Sequence, residues 1–388
     1  MASKPNILFV SHDANRAGAQ LFLLNIMKDF KAAGYGVQLL FLLKWGPLLS
    51  EFEEVCEVKE SPKQSKKKSK ILSKLIKTDS KKDFKEFIKE GYSSEKIDFI
   101  YANTIATACS ATQIKEVLQV PLISHIHELQ FSLDLYAGKS EKENLLKSSD
   151  GIIACSQAVK DNLVEGDSRL AAKTTVIHSF VDNESVLKLF KNAVPKSIKE
   201  EFKLPQDAFL AGACGNAEWR KGLDIFISLV NAIKQKNPSK KIHFVWIGLK
   251  PEGKYYEQIM YDVRKMGIAD YVTFISPTPK AVEIINALDV FVVSSREDPF
   301  PLVMLEAALC QKPILGFKNT GGCSEFVKDE AGILAEYLDV DGMAKNLLYL
   351  SDHKDIGETK GKNGHNSILK NYSFEHSVEK LKTYLANF

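Results

Sequence analysis

Short continuous apolar runs alternate with amphipathic stretches along this chain, and the alternation occurs twice. In the first half the runs are Ile7 to Val10, Val37 to Leu43, Phe99 to Tyr101, Leu122 to Ser124, Ile152 to Ala154 and Thr175 to Ile177. In the second half they are Phe209 to Ala213, Ile242 to Ile247, Val272 to Ile275, Val290 to Val293 and Ile314 to Phe317. An unbroken apolar run, rather than an alternating one, suits a parallel strand covered on both faces. Segments with helical spacing fill the gaps, among them Gln20 to Ala33, Gly222 to Lys236 and Tyr255 to Met266. The pattern predicts an α/β chain of two doubly wound, Rossmann-like domains in series. Periodicity lapses into charged residues and two prolines between Leu187 and Pro205, so the join is expected there, with domains over 1–190 and 191–370. Residues 371–388 then predict an amphipathic helix. It carries Phe374, Val378, Leu381, Tyr384 and Leu385 on one face, and Ser373 as its cap.

Composition narrows the class. A chain of 388 residues exceeds one ordinary core, and 45% hydrophobic with 26% charged residues is a globular balance. The net charge of +3 is too small for a global nucleic-acid-binding field. Six scattered cysteines without a CxxC pair support neither a zinc site nor a redox motif, and are expected to be reduced. No apolar run reaches membrane-spanning length and the N-terminus lacks a signal-peptide pattern, so a cytoplasmic location is expected.

Ligands of open α/β sheets bind beyond the carboxyl ends of the strands, so the residues just after each run carry the candidate chemistry. Following Val290 to Val293 comes Ser294-Ser-Arg-Glu-Asp-Pro-Phe-Pro-Leu-Val-Met-Leu-Glu306. Asp298 falls in a proline-punctuated loop, a helix is expected from about Leu302, and Glu306 lies one turn inside it. The free N–H groups and positive dipole end of that helix suit a phosphate. Following Phe209 to Ala213 comes Gly215-Asn-Ala-Glu-Trp-Arg-Lys-Gly222, where Arg220 and Lys221 are natural partners of a diphosphate. In the first half, Ser11 to Gln20 contains Gly18, which permits close approach of a ligand, but no dinucleotide or phosphate-loop signature is present. His127 is placed at a strand end where it faces a ligand or fills a structural role; His125, Glu128 and His178 are weaker candidates.

These segments, together with Gly321-Gly-Cys-Ser-Glu325, resemble the retaining glycosyltransferases of family four, whose signature is an acid, seven residues and a glutamate. Asp298 and Glu306 have that spacing, although Asp-Pro-Phe-Pro replaces the commoner Glu-Gly-Phe-Gly. The resemblance implies two facing lobes with an interdomain cleft (the GT-B type) and a C-terminal helix that returns to the first lobe. It implies transfer from a nucleotide-diphosphate sugar to a glycan or lipid-linked glycan, with retained configuration, in polysaccharide biosynthesis. Residue by residue it implies that Glu306 receives the ribose hydroxyls and that Arg220 and Lys221 hold the diphosphate. Asp298 and His127 would meet the sugar, the backbone of Phe300, Pro301, Leu302 and Val303 sugar and phosphate, Gly18 the diphosphate, and the main chain from Ile275 to Pro277 the base. No metal or cofactor is implied, only the nucleotide sugar as co-substrate. A nucleotide-sugar 2-epimerase and a non-catalytic sugar-nucleotide-binding subunit are the alternatives on the same fold.

One segment stands apart. Lys59 to Lys82 holds ten lysines against Glu60 and Asp79, with Ile71, Leu72, Leu75 and Ile76 at helical spacing. It fits either peripheral contact with an anionic membrane or a solvated surface insertion. It lacks the interleaved aromatics that nucleic-acid binding favours.

Overall fold

A computed structural model describes residues 4–62 and 84–388; most of the lysine-rich stretch therefore lies outside the described residues. The chain divides into two compact units. The first comprises residues through Cys155, Val159–Ile177 and Leu381–Phe388, and the second Ser156–Ala158 and His178–Lys380. The division thus lies before the Leu187 to Pro205 stretch. The helices Asn183–Asn192 and Pro195–Glu201 in that stretch bury Val186 and Ile198, and both pack on the helix Ala281–Asn286 of the second unit.

The first unit is built on seven parallel strands: β1 (Asn6–Ser11), β2 (Gly36–Phe41), β3 (Val58–Glu60), β4 (Phe99–Asn103), β5 (Leu122–Ile126), β6 (Gly151–Ala154) and β7 (Thr174–Val176). Their order is β3-β2-β1-β4-β5-β6-β7. Phe9 of β1 is fully buried between Phe30 and Tyr101, with centroids 6.3 and 5.2 Å away, so the helix Gly18–Ala32 covers this face. The end of the chain packs here as well. Lys382 pairs with Asp29 at 2.8 Å, and Gly151 is glycine because a Cβ would lie 2.3 Å from the Tyr384 hydroxyl.

The second unit has six parallel strands: β8 (Phe209–Cys214), β9 (Ile242–Ile247), β10 (Val272–Ile275), β11 (Val290–Val293), β12 (Ile314–Phe317) and β13 (Gly332–Ala335). The order is β10-β9-β8-β11-β12-β13. Phe226, on the helix Leu223–Lys236, meets Phe244 and Trp246 edge-on at 5.7 and 5.3 Å. In the helix Phe374–Leu385, Ser373 caps the start by accepting from the His376 N–H at 3.2 Å, as the sequence predicts.

Each sheet reverses its direction of growth once, between β1 and β4 in the first and between β8 and β11 in the second. At such a switch point the two flanking connections leave on opposite faces, and a crevice opens beyond the strand ends. The two missed strands, β3 and β13, are both sheet edges. Val58-Lys-Glu has one apolar side chain in three residues, whereas Gly332-Ile-Leu-Ala is a run of the same length as Val272–Ile275 that opens on a glycine. Because Phe226 is fully buried in the second core, Phe226→Ala is expected to cost about 3–5 kcal/mol in urea unfolding of that unit. A loss below 1 kcal/mol would contradict this packing.

Candidate functional site

In the second unit, the loops that follow β8 and β11 are bound to each other. After Cys214 the chain reaches a short 3₁₀ turn, Trp219–Lys221, closed by Gly222 at φ 68°. A Cβ on Gly222 would lie 2.1 Å from the carbonyl oxygen of Ser294, the first residue beyond β11, so only glycine fits. The Arg220 carbonyl accepts from the Arg296 N–H at 2.8 Å, and Ser294 Oγ donates to the Lys221 carbonyl at 3.1 Å. Arg296 grips Asp224 through both guanidinium nitrogens, at 2.9 and 2.6 Å, and lies 5.0 Å over the Trp219 ring. That bidentate pair fixes the start of the helix Leu223–Lys236 against the β11 loop.

This scaffold brings together the acid and the two bases that the sequence singles out. Lys221 Nζ sits 2.5 Å from Asp298 Oδ2, and Arg220 Nη1 lies 3.9 Å from Oδ1. Ser295 Oγ donates to Oδ2 at 3.3 Å. Asp298 is only 5% exposed, so its charge requires these partners. Its main chain is fixed too, with its N–H on the Thr320 carbonyl at 2.7 Å and its carbonyl accepting from Gly322 N at 3.1 Å. The Gly321-Gly322 pair is therefore a support for the Asp298 loop.

The expected helix is present as Leu302–Leu309, with Pro301 at its cap and no acid in its first turn. Glu306 is half-buried one turn in. Cys214, at the end of β8, has its thiol pushed up to about 12, mainly by burial. Glu306 adds to that shift and Lys221 opposes it, so both charges reach one thiol. Cys214, Lys221, Ser295, Asp298, Pro301 and Val303 line one shallow pocket at these strand ends. Phe300 turns away from it and packs on His178 and Tyr372, 5.1 and 5.6 Å distant. His178 pairs at 2.5 Å with Glu325, which places it in that packing cluster. The Ile275 carbonyl accepts from the N–H groups of Gly248 and Leu249, at 2.8 and 3.3 Å. The backbone beyond it, at Ser276 and Pro277, is what that strand end offers a ligand.

At the switch point of the first unit the chemistry is different. His127 follows β5 directly, and its Nε2 meets Asn103 Oδ1 at 3.1 Å while Asn103 Nδ2 donates to the Ala19 carbonyl at 3.2 Å. Burial, aided by nearby His12, pushes His127 down to about 3, so it is a neutral imidazole in the ordinary pH range. Glu128 accepts from the N–H groups of Ile105 and His127, at 3.1 and 2.8 Å, and so braces the loop. His125 is buried against the Tyr101 hydroxyl at 2.5 Å. Gly18 is exposed at the start of its helix. The sequence reading passed over His12, Asp13, Gln20, Asn103 and Thr104, which gather here. His12, Asp13 and Gln20 lie in the Ser11 to Gln20 segment, from which only Gly18 is singled out, and the rule of looking just past each strand, applied to β4, reaches Thr104. Among the described residues, every large apolar side chain left exposed in this unit, except Phe388, lies on Leu43–Trp45 or Phe131–Tyr136. Both segments follow the carboxyl ends of strands, β2 and β5.

Two family models match this chain. Residues 208–353 match "Glycosyl transferases group 1", and residues 16–185 match "Glycosyltransferase Family 4". This chain is a glycosyltransferase, with one model matching each half. A D-inositol 3-phosphate glycosyltransferase of Paenarthrobacter aurescens is 22% identical over 284 residues, 69% of this chain and 67% of the other. CapM of Staphylococcus aureus, a capsular polysaccharide biosynthesis glycosyltransferase, is 24% identical over 237 residues, 61% of each chain. Among solved structures, HepE of Anabaena in complex with UDP and glucose superposes with a TM-score of 0.79 at 21% identity, covering 99% of this chain and 100% of the other. WaaG, from lipopolysaccharide biosynthesis, gives 0.70 at 12%, covering 97% and 99%. These likenesses establish the GT-B fold of the glycosyltransferase chain. Among the described residues no helix is long and apolar enough to cross a membrane, and no cluster of three or more His, Cys, Asp or Glu could hold a metal ion.

The buried histidines of the first unit give the glycosyltransferase a predictable acid response. Burial holds His127, at about 3, and His125 below the ordinary histidine value of 6.5. Below about 6.5 the unfolded chain therefore binds protons that the native chain refuses. Stability should fall on acidification by about 1.4 kcal/mol per pH unit for each such histidine. Chemical denaturation from pH 7 to pH 4 should show a shallower fall in His127→Gln than in the wild type; equal slopes would contradict a neutral, buried His127.

Proposed function

We propose that this glycosyltransferase moves a sugar from a nucleotide-diphosphate sugar to a glycan or lipid-linked glycan, with retention at the anomeric carbon and without a metal ion. The observation that carries the proposal is the Arg220–Lys221 pair, fixed at the second switch point beside Asp298, Glu306 and the start of the helix Leu302–Leu309. Fixed cations at a helix start suit a diphosphate and stabilise the charge it gains as it departs. Lys221 and Ser295 occupy Oδ2 of Asp298, whereas among the described residues Oδ1 has only Arg220, at 3.9 Å. In this reading Asp298 holds Lys221 with one oxygen and accepts a hydroxyl of the transferred sugar with the other. Glu306 accepts the ribose hydroxyls, and the N–H groups of Leu302 and Val303 face sugar and phosphate. The main chain at Ser276 and Pro277 meets the base, and Gly18 allows close approach to the diphosphate.

Transfer then takes place on one face of the sugar. The bond from the anomeric carbon to the phosphate oxygen breaks, the acceptor oxygen bonds that carbon, and the acceptor's proton passes to the departing phosphate. Arg220 and Lys221 supply the positive charge. UDP-glucose in a HepE structure supports a UDP-sugar as the first donor to try. CapM and WclY, named for capsular polysaccharide and O-antigen biosynthesis, support a surface-polysaccharide acceptor. Exposed Trp45, Leu135 and Tyr136 give the first unit an apolar surface for such an acceptor.

Thermal stabilisation by a panel of UDP-, GDP- and ADP-sugars identifies the donor, since a specific binder raises apparent stability by mass action. With that donor, Lys221→Ala is expected to lower hydrolysis or transfer by about 10²–10³-fold, the effect of losing one preorganised charge donor. Glu306→Ala should raise the donor KM. Proton NMR of the product should show the donor's anomeric configuration, and excess chelator should leave the rate unchanged. Equal rates in the wild type and both variants would remove the site.

A further inference from the structure

Thr104 carries the most strained backbone of the first switch point. It sits just past β4 at φ 75° and ψ 155°. Eight non-glycine residues have positive φ among the described residues, and Thr104 is the only β-branched one. That conformation is costly for a branched side chain and persists only where the surroundings impose it. Here its N–H donates to the His125 carbonyl at 2.9 Å, and its carbonyl accepts from Thr107 Oγ at 2.9 Å. The result is that Thr104 Oγ lies 3.1 Å from His12 Nδ1.

The protons along this chain of groups can be assigned. Gln20 Nε2 lies 2.6 Å from Asp13 Oδ1, and a carboxylate requires the donor end of the amide there. The same NH₂ lies 3.0 Å from His12 Nε2, so that nitrogen must accept. In the neutral ring the proton is then on Nδ1, which donates to Thr104 Oγ. Thr104 Oγ has no other hydrogen-bond partner among the described residues, so its own hydroxyl hydrogen is free to donate. On the neighbouring strand end the logic runs the other way. Asn103 donates to the Ala19 carbonyl and so turns its oxygen to His127 Nε2, which must carry the proton. His127 Nδ1 is left with a lone pair. One donor and one acceptor, both uncharged, end the adjacent strands β4 and β5. A sugar hydroxyl, which accepts and donates at once, matches that pair; a phosphate, which has no proton to give, does not.

We propose that Thr104 Oγ donates a hydrogen bond to a sugar hydroxyl, and that Asp13, Gln20 and His12 are positioning residues that fix the direction of that donor. The inference rests on reading this edge as part of the glycosyltransferase's sugar site. It also makes a demand on the protein alone. By ¹⁵N-detected imidazole NMR, His12 in the wild type should be the Nδ1–H tautomer. In Gln20→Leu the ring should change to Nε2–H, facing Asp13 Oδ1 now 3.6 Å away, and Thr104 should then donate to Nδ1 instead of to a ligand. Nε2–H in the wild type, or no change in Gln20→Leu, would overturn the assignment whatever the substrate.

The second arm uses the nucleotide sugar that most stabilises the wild type. Thr104→Val, isosteric but without the hydroxyl, should raise a KM about 10-fold, the worth of one hydrogen bond to a bound ligand. Gln20→Leu should do the same although Gln20 touches no substrate, and Thr104→Ser should recover the affinity. A rise in the donor KM assigns the hydroxyl to the transferred sugar, and a rise in the acceptor KM assigns it to the acceptor. Unchanged KM values in both Thr104→Val and Gln20→Leu would overturn the proposal. A wild type that binds no nucleotide sugar would instead refute the functional reading, with the tautomer result standing or falling independently.

Discussion

Everything proposed for the second unit depends on β11 lying against β8. Val290 and Phe291 pair with Ala211 and Gly212, although nearly eighty residues of chain separate the strands. That neighbourhood is enforced by burial, since both strands are covered on both faces, and by the crossovers that parallel pairing requires. Because the strands are neighbours, the loops beyond them meet, and Gly222 can press its backbone on Ser294. The Lys221–Asp298 pair is the consequence of that meeting. A carboxylate this buried would be strongly unfavourable alone, so the pair fixes the ammonium as firmly as the fold fixes the acid.

The two switch points differ in chemistry, one offering charge and the other uncharged hydrogen-bonding groups. The second unit gathers fixed charges at Arg220, Lys221, Asp298 and Glu306, which suit a diphosphate and the groups around it. The first unit gathers neutral hydrogen-bonding groups at His12, Asn103, Thr104 and His127, with two carboxylates already engaged, Asp13 by Gln20 and Glu128 by the N–H groups of Ile105 and His127. Neutral donors and acceptors distinguish sugar hydroxyls by geometry without attracting phosphate. Burial is the common cause, because it keeps the imidazoles uncharged and gives the ion pair of the other unit its short, dry geometry.

Much of this was legible in the sequence. Continuous apolar runs gave eleven of the strands in the structure, and the spacing of Asp298 and Glu306 with the Arg220–Lys221 pair located the charged site. What escaped has physical reasons. The edge strand β3 holds one apolar residue in three, and β13 opens on Gly332, where a Cβ would lie 1.8 Å from the Ile314 carbonyl oxygen. The stretch from Leu187 to Pro205 looks like a linker because its helices Asn183–Asn192 and Pro195–Glu201 bury only one narrow face each. Thr104 and His12 escaped because their significance lies in a backbone angle and a proton position. Neither is written in residue type. Asp298 was read as a sugar contact only, since its short pair with Lys221 exists only once β8 and β11 are side by side.

The central claim is that Lys221, held by Asp298, meets the diphosphate of the donor. Calorimetric titration of the wild type and Lys221→Met with the best-binding nucleoside diphosphate and with its parent nucleoside tests this most directly. The account predicts that the variant loses affinity for the diphosphate by about 10–100-fold, the worth of a charge-assisted contact, while its affinity for the nucleoside stays within a factor of about two. An unchanged affinity for the diphosphate, or an equal loss for both ligands, would contradict it.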